Sequence, residues 1–389
     1  MKIAGVICEY NPFHNGHEYL IKKARNDGFA VLAVMSGCYT QRGELAVADK
    51  YIRAEAAVKC GADLVLELPF PFCMSSAEFF AKGGISVLER THADTIYFGS
   101  ESGDVDFIKK AANVAASDEL LRMKSKLSHD EGSAKGYFDV LGELLGKDVK
   151  MLSNDILGVE YLKEINRRGM SVTPVAVTRV GDRYRDEGIG SEFASATAIR
   201  KVLREQGLEQ LEKYMPSRSL DVLSAAIESG CAPTDTRNIE TAILAFWRTA
   251  DPSRLSDIAE LGNGLEYRIR DAALSSVSLE ELFCKAATKK YTDARIRRAT
   301  LFAMLGITKS DLDAEPEYTA VLAASRVGRE MLSALRRDEA NMKIVTKAAD
   351  APECRQYELT SRAEALYTLA MPKAQGAGYL TARTAYIEK

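Results

Sequence analysis

Residues 3–25 read IAGVICEYNPFHNGHEYLIKKAR, and this stretch decides the fold. Ile3–Cys8 is a short, continuous apolar run, the pattern of a strand buried on both faces. Pro12 fixes the exit from that strand, and His17–Arg25 carries helical periodicity. A strand, a tight turn and a helix in so short a span are the opening half of a βαβ unit. The alternation continues outward. Apolar runs at Ala30–Met35, Asp63–Leu68, Thr95–Phe98 and Val172–Val177 are separated by helical patterns at Asp49–Cys60, Ser76–Arg90 and Val105–Ala116. The expectation is a doubly wound α/β domain with a parallel sheet over residues 1–206, carrying a charged helical insertion at about 118–150.

Beyond residue 207 the pattern changes. Leu211–Ile227, Asn238–Trp247, Leu255–Leu274, Leu279–Tyr291, Asp293–Leu305 and Glu317–Leu335 all read as helices, and only Met342–Thr346 suggests a strand. Residues 207–389 are therefore expected to form a second, mainly α-helical domain. Two or three domains also fit 389 residues at roughly 150 per domain. With 46% hydrophobic and 28% charged residues, the composition excludes a disordered, collagenous or disulfide-stapled chain. The seven cysteines are dispersed and form no C-x-x-C, which points to reduced thiols and a cytoplasmic protein. No apolar run approaches the ~20 residues that span a bilayer. The one before Glu9 is too short for a signal peptide.

The chemistry concentrates in Asn11-Pro-Phe-His14-Asn-Gly-His17, directly after the first strand. Ligands of open α/β sheets bind at the carboxyl ends of strands. Two of only four histidines lie three apart where a helix opens, so they share one face beside its positive end. Gly16 lets backbone approach a ligand closely. Imidazoles there can donate to phosphate oxygens and stabilise charge developing on a leaving pyrophosphate. A zinc site would need third and fourth ligands, and none is nearby; no metal ligands are assigned.

The H-x-G-H pattern resembles the signature of the nucleotidyltransferase superfamily, shared with class I aminoacyl-tRNA synthetases. Its second element is matched by Ser195-Ala-Thr197-Ala-Ile-Arg200, a capped helix start. There Ser195 and Thr197 would hold the β- and γ-phosphates, and Arg200 would add a forked cation. The blocks ICEYNPFHNGHEYL, VMSGCYTQRGELAVADKYIRAEAAVKCGADLVLELP, SAEFFAKGG, YFGSESGD, SNDILGVEYL and GSEFASATAIRKVL are similar, in order, to those of the bacterial tRNA(Met) cytidine acetate ligase family. They span residues 1–203, and a weaker likeness continues through KYTDARIRRATLFAMLGI.

The resemblance implies a Rossmann-like nucleotidyltransferase domain. It implies ATP as substrate, with Mg²⁺, and acetate activated as acetyl-adenylate. The acetyl group would then pass to N4 of the wobble cytidine of elongator tRNA(Met), with no obligate protein partner. His14, His17 and Arg200 become the expected catalytic residues. The ATP-binding positions it implies are Ile7, Cys8, Glu9, Tyr10, Asn11, Pro12, Phe13, His14, Asn15, Gly16, His17, Glu18, Tyr19 and Leu20, then Gly99, Asn154, Arg179, Ser195, Thr197 and Arg200. Read without the resemblance, Gly99 is a turn glycine, Asn154 a helix cap and Arg179 a solvated cation.

The loop from Ser36 to Gly43 follows the second strand, where it could cover the site or carry acetate through Arg42. Asp49, Lys50 and Arg53 read as a helix cap and surface pairs. Net charge is −3, which argues against a whole-surface nucleic-acid binder. Yet Phe283–Met304 holds six cations against one acid: Lys285, Lys289, Lys290, Arg295, Arg297 and Arg298 against Asp293. This window is the expected RNA footprint, with Arg326, Arg329, Arg336 and Arg337 as extensions. The rival readings are a cofactor adenylyltransferase, an acetate ligase acting on a protein thiol, and an RNA-binding adaptor without catalysis.

Overall fold

The first strands lie where the apolar runs place them. The computed structural model describes residues 1–117, 141, 145, 151–179, 193–336 and 342–389. β1 (Ile3–Cys8), β2 (Ala30–Ser36), β3 (Leu64–Leu68), β4 (Thr95–Ser100) and β5 (Thr173–Thr178) form a parallel sheet in the order β5-β4-β1-β2-β3. Between them run α1 (Asn15–Asn26), α2 (Lys50–Lys59), α3 (Ala77–Arg90), α4 (Val105–Ala115) and α5 (Ser153–Arg168), and α6 (Ala196–Gln206) follows β5. The expected helical insertion at 118–150 lies, Leu141 and Leu145 apart, outside the described residues.

Both faces of this sheet are covered, as continuous apolar strands require. In β2, Leu32 and Val34 join one core with Ile85 of α3, Ile108 of α4 and Val159 of α5. The alternate residues Val31, Ala33 and Met35 join the other with Ile21 of α1 and Ala54 and Val58 of α2. The α/β expectation is met.

The second half contributes α7 (Ser217–Glu228), α8 (Glu240–Thr249), α9 (Leu265–Leu274), α10 (Leu279–Ala286), α11 (Asp293–Leu305), α12 (Lys309–Asp313), α13 (Arg326–Leu335) and α14 (Arg355–Leu369). It also contributes β6 (Tyr318–Ala324), β7 (Lys343–Val345) and β8 (Tyr386–Ile387). The helix expected over Glu317–Leu335 is corrected here, because its first part is β6. That strand lies antiparallel on the outer edge of β3, with Leu64 opposite Ala324 and Val65 opposite Ala323, and makes the sheet mixed. Its alanines favour helix locally, but an open sheet edge offers a full ladder, and context overrides propensity. Ser325 then caps α13 by accepting from the Gly328 N–H.

Three other helices shorten, and the one expected over Leu279–Tyr291 ends at Ala286. The one expected from Leu255 starts only at Leu265, after Gly262, Asn263 and Gly264 all take positive φ. The one expected from Leu211 starts after Pro216. Among the described residues, no helix is long and apolar enough to cross a membrane.

Candidate active site

Strand order reverses between β1 and β4, so the loops leaving their carboxyl ends diverge and open a crevice. A cavity of about 590 Å³ fills it, a size suited to a small ligand. Ile7, Cys8, Glu9, Tyr10, His14, Gly16, His17, Tyr19 and Leu20 line it from the β1–α1 segment. Gly99 of β4, Asn154 of α5, Arg179 beyond β5, and Ser195, Thr197 and Arg200 at the start of α6 join them on the wall. Residues 180 positions apart in sequence, Leu20 and Arg200, thus line one cavity at one end of the sheet. Asn11, Pro12, Phe13, Asn15 and Glu18 are not on the wall; they hold the turn. Asn11 Oδ1 accepts from Val47 N–H at 2.7 Å, the Ser219 hydroxyl donates to Phe13 O at 3.0 Å, and Asn15 N–H donates to Tyr214 O at 3.0 Å.

His14 is the N-cap of α1. Its Nδ1 accepts from Gly16 N–H at 3.0 Å, and the Nδ1 of His17 accepts from His14 N–H at 3.3 Å, a reciprocal capping box built from two imidazoles. The rings stack with centroids 3.7 Å apart and a tilt of 25°. Tyr10 meets the His17 ring edge-on at 4.9 Å, and Phe13 stands 5.6 Å from it. Gly16 is required by this arrangement, since a Cβ there would sit 2.9 Å from His14 Cε1.

Because both Nδ1 atoms accept, each neutral ring carries its proton on Nε2 and can donate it to an anion. Burial pushes His14 down to about 3, with the Arg179 charge adding to the effect. Burial, His14 and Arg179 push His17 well below the usual imidazole range. The pair therefore meets a ligand as two neutral donors at the positive end of α1.

Arg200 is buried. Its guanidinium donates to Asn11 O at 2.9 Å and to Glu44 at 3.0 Å, and stands 3.4 Å from the Thr197 hydroxyl. Burial lowers its proton affinity, and Glu44 works against that. Ser195 caps α6 by accepting from Ala198 N–H at 3.2 Å. Arg179 donates its backbone N–H to Ser100 O at 3.0 Å, while its guanidinium has no hydrogen-bond partner among the described residues. A Cβ on Gly99 would lie at ordinary contact distance, 3.5 Å, from Arg179 Cγ. Nothing in the protein itself forbids a side chain there. The Asn154 amide donates to Glu101 at 2.5 Å, and Glu101 also caps α5 through the N–H groups of Asn154 and Asp155. This leaves the Asn154 carbonyl oxygen open to a ligand.

The profile of the HIGH nucleotidyl transferase family matches residues 1–379. The chain is 34% identical over 395 residues to the tRNA(Met) cytidine acetate ligase of Thermoanaerobacter sp. (strain X514), covering 97% of this chain and 98% of that one. It is 36% identical over 355 residues to the ligase of that name from Caldicellulosiruptor saccharolyticus, covering 89% and 87%. The crystal structure of Thermotoga maritima TmcAL bound with α-thio ATP superposes over 100% of both chains, with a TM-score of 0.89 and 30% identity. The chain belongs to the tRNA(Met) cytidine acetate ligase family.

In this family member the loop after β2 connects the cavity to the basic window. Thr40, Gln41, Arg42 and Glu44 line the cavity. Gly43, at φ +73°, lies so close to α11 that a Cβ would meet Arg298 N at 2.7 Å. Arg298 is buried, donating to Glu260 at 2.6 Å and to Gln41 O at 3.1 Å. Arg295 donates to Glu260 O at 3.1 Å and lies over the Tyr291 ring, and Arg297 lies over the Phe283 ring. Lys285, Lys289 and Lys290 are exposed. None of these six cations is on the cavity wall.

Asp49 caps α2 as expected, but Lys50 and Arg53 are not surface pairs. Lys50 is buried between Glu67 at 2.6 Å and Glu364 at 2.5 Å. Arg53 is buried and donates to the carbonyls of Glu9, Ser36, Gly37 and Ala48, clamping the ends of β1 and β2. Glu44, Thr178, Phe193 and Tyr214 also line the cavity, and sequence reasoning had not assigned them. Glu44 alone had a local signal, as the residue closing a Gly-bounded loop.

Proposed function

We propose that this cavity activates acetate with ATP and transfers the acetyl group to N4 of the wobble cytidine of elongator tRNA(Met). The observation that carries the reading is the stacked His14–His17 pair, its Nε2 protons free for an anion, facing one cavity with Arg200 and the start of α6. Acetate oxygen attacks the α-phosphorus of ATP; that bond forms as the bond to the β-phosphate oxygen breaks, and the electron pair leaves on pyrophosphate. His14 and His17 donate to the departing oxygens, and Thr197 and Arg200 take the remaining phosphate charge. Gly99 leaves room for the nucleoside, and the Asn154 carbonyl accepts from it. Among the described residues no group of three His, Cys, Asp or Glu could hold a metal ion. Mg²⁺, when bound, would accompany the nucleotide and offset phosphate charge.

In the second half-reaction the cytidine amine attacks the acetyl carbonyl and AMP leaves. No protein nucleophile is needed, since adenylation already activates the carbonyl, and positioning carries the rate. Lys285, Lys289, Lys290, Arg295 and Arg297 form the proposed tRNA footprint. Arg298 serves it by holding α11 to the active-site loop. The domain division at about residue 206 and a cytoplasmic location belong to the same reading.

The test is incubation with ATP, labelled acetate and total tRNA. Label in RNA, lost on omitting ATP, is the expected result. Label in protein would support the thiol ligase instead, and an unlabelled RNA with nucleotide transfer to a small acceptor would support the cofactor enzyme. Absence of any turnover would leave the adaptor.

A further inference from the structure

Acetyl transfer to an exocyclic amine releases a proton, and the cavity holds few groups able to take it. The amine lone pair is delocalised into the pyrimidine ring, so nitrogen becomes strongly acidic only as it bonds to carbon. A base in reach at that moment prevents the amine from being expelled again. His14 and His17 cannot serve while Nδ1 accepts a backbone N–H and Nε2 carries the proton. Burial pushes the Cys8 thiol and the Tyr10 and Tyr161 phenols up, so these stay protonated. Among the described residues two carboxylates remain on the wall, Glu9 and Glu44. Glu44 is paired with Arg200 at 3.0 Å.

Glu9 has no such partner. It follows β1 directly, at the point where the sheet order reverses. Its Oε1 accepts from Gln41 N–H at 2.8 Å, and no other hydrogen bond to this carboxylate occurs among the described residues. Oε2 is thus free while the carboxylate plane is held. The hold is itself braced, since the carbonyl of Gln41 accepts from Arg298 at 3.1 Å and the carbonyl of Glu9 accepts from Arg53. A carboxylate on the wall of a ligand cavity, with one oxygen anchored and the other unbonded, is the arrangement of a positioned base.

We propose that Glu9 is the general base of the acetyl-transfer step, taking the proton of the cytidine amine on Oε2. Nitrogen joins the acetyl carbon, the carbon–oxygen bond to phosphate breaks, and its electron pair leaves on AMP. The amine proton passes to Glu9, which later returns it to water. Around this carboxylate stand Arg200 of α6, Arg53 of α2, Glu44 of the loop, the Cys8 and Cys73 thiols and the Tyr161 phenol of α5. Burial outweighs the two arginines and raises the Glu9 carboxyl above the usual carboxylate value of 4.5. The base is therefore stronger than an ordinary glutamate. This role rests on the acetyl-transfer reading above.

The experiment separates the two half-reactions in full-length protein. Enzyme is loaded with ATP and labelled acetate in the presence of pyrophosphatase, then mixed with tRNA(Met) transcript, and single-turnover transfer is followed over about pH 5–9. Acetate-dependent ATP–pyrophosphate exchange is measured beside it. In the wild type, transfer is expected to rise with pH and level off. In Glu9→Gln, which keeps an oxygen for Gln41 N–H, transfer is expected to fall about 100-fold or more and to lose the rising limb. That loss should exceed any loss in exchange by about 30-fold. Glu9→Asp should keep the limb with a lower plateau. A wild-type limb retained in Glu9→Gln, equal losses in both half-reactions at every pH, or loss of the limb in Glu9→Asp would each overturn the assignment. Failure of the wild type to exchange or transfer at all would overturn the ligase reading instead.

Discussion

Arg298 donates to the carbonyl of Gln41 at 3.1 Å, although 257 positions separate them in the chain. The same Gln41 residue donates its N–H to Glu9. One residue's backbone thus joins the Glu9 carboxylate to α11, which carries Arg295, Arg297 and Arg298 of the basic window, and Gly43 packs against that helix two residues later. The tether makes the loop after β2 a shared element of the cavity and the basic window. A side chain in the basic window can therefore matter to chemistry without touching a ligand.

Arg298→Ala should lose both functions together. Removing the guanidinium leaves Glu260 with only Arg295, at 3.7 Å, and Gln41 O without a donor, in a part-buried setting. Breaking such a pair typically costs ~3 kcal/mol. Urea unfolding should show a loss of that order, and pyrophosphate exchange at a temperature where the variant is folded should drop together with tRNA acetylation. A variant with normal exchange and weak tRNA affinity alone would instead make Arg298 a direct phosphate ligand.

Lys289→Ala/Lys290→Ala should behave oppositely. Both lysines are exposed, and neither makes an ion pair among the described residues. Stability should stay within ~0.5 kcal/mol of wild type. The apparent affinity for tRNA should fall, and the slope of log K against log salt should become shallower by about one for each phosphate no longer neutralised. An unchanged salt slope would remove these lysines from the footprint.

Gly43→Ala should perturb the cavity from outside it. The position needs φ +73°, and the added Cβ would lie 2.7 Å from Arg298 N and 2.9 Å from Arg297 Cβ, atoms of a packed helix that cannot swing aside. The strain and the clash together should cost ~1–3 kcal/mol. The variant should show weaker coupling of tRNA binding to acetyl transfer, read as single-turnover transfer falling more than tRNA affinity does.

How much of this could be read from the chain alone depends on how local each cause is. The β1–α1 turn was legible because an apolar run, Pro12 and two histidines at capping distance lie within a few residues of one another. The reciprocal cap between His14 and His17 needs no distant partner. β6 was not legible, since YTAVLAA favours helix locally and becomes a strand only beside the open edge of β3. Lys50 and Arg53 carry no local mark of burial either. Their partners are Glu67, Glu364 and the carbonyl ends of two strands, which only the folded sheet assembles.

The histidine pair should leave a mark on acid stability. In the folded protein His14 titrates at about 3, against the usual imidazole value of 6.5. Between those values the unfolded chain binds a proton that the folded chain refuses. Stability is thus full above pH 6.5 and declines as the pH falls through the window toward 3. The slope from one such group is at most ~1.4 kcal/mol per pH unit. His14→Asn keeps a capping side chain without a titratable ring, so urea unfolding at pH 5 and pH 7 should differ less in the variant than in the wild type. An identical pH dependence would mean that His14 binds its proton alike in the folded and the unfolded chain.

The Glu44–Arg200 ion pair should tune the affinity for the nucleotide. Their ion pair, at 3.0 Å, occupies the guanidinium that the triphosphate is proposed to use, and the Glu44 side chain is 33% exposed. Phosphate must displace this carboxylate, which then stays nearby as a like charge. Glu44→Gln removes both the competition and the repulsion. At a partly exposed site these amount to ~1 kcal/mol, so ATP should bind about three- to ten-fold more tightly by titration calorimetry. Folding stability should change by less than ~1 kcal/mol, since only a half-solvated pair is removed. If ATP instead bound more weakly, Glu44 would be holding Arg200 in its productive orientation, and the pair would be part of the binding site, not a barrier to it.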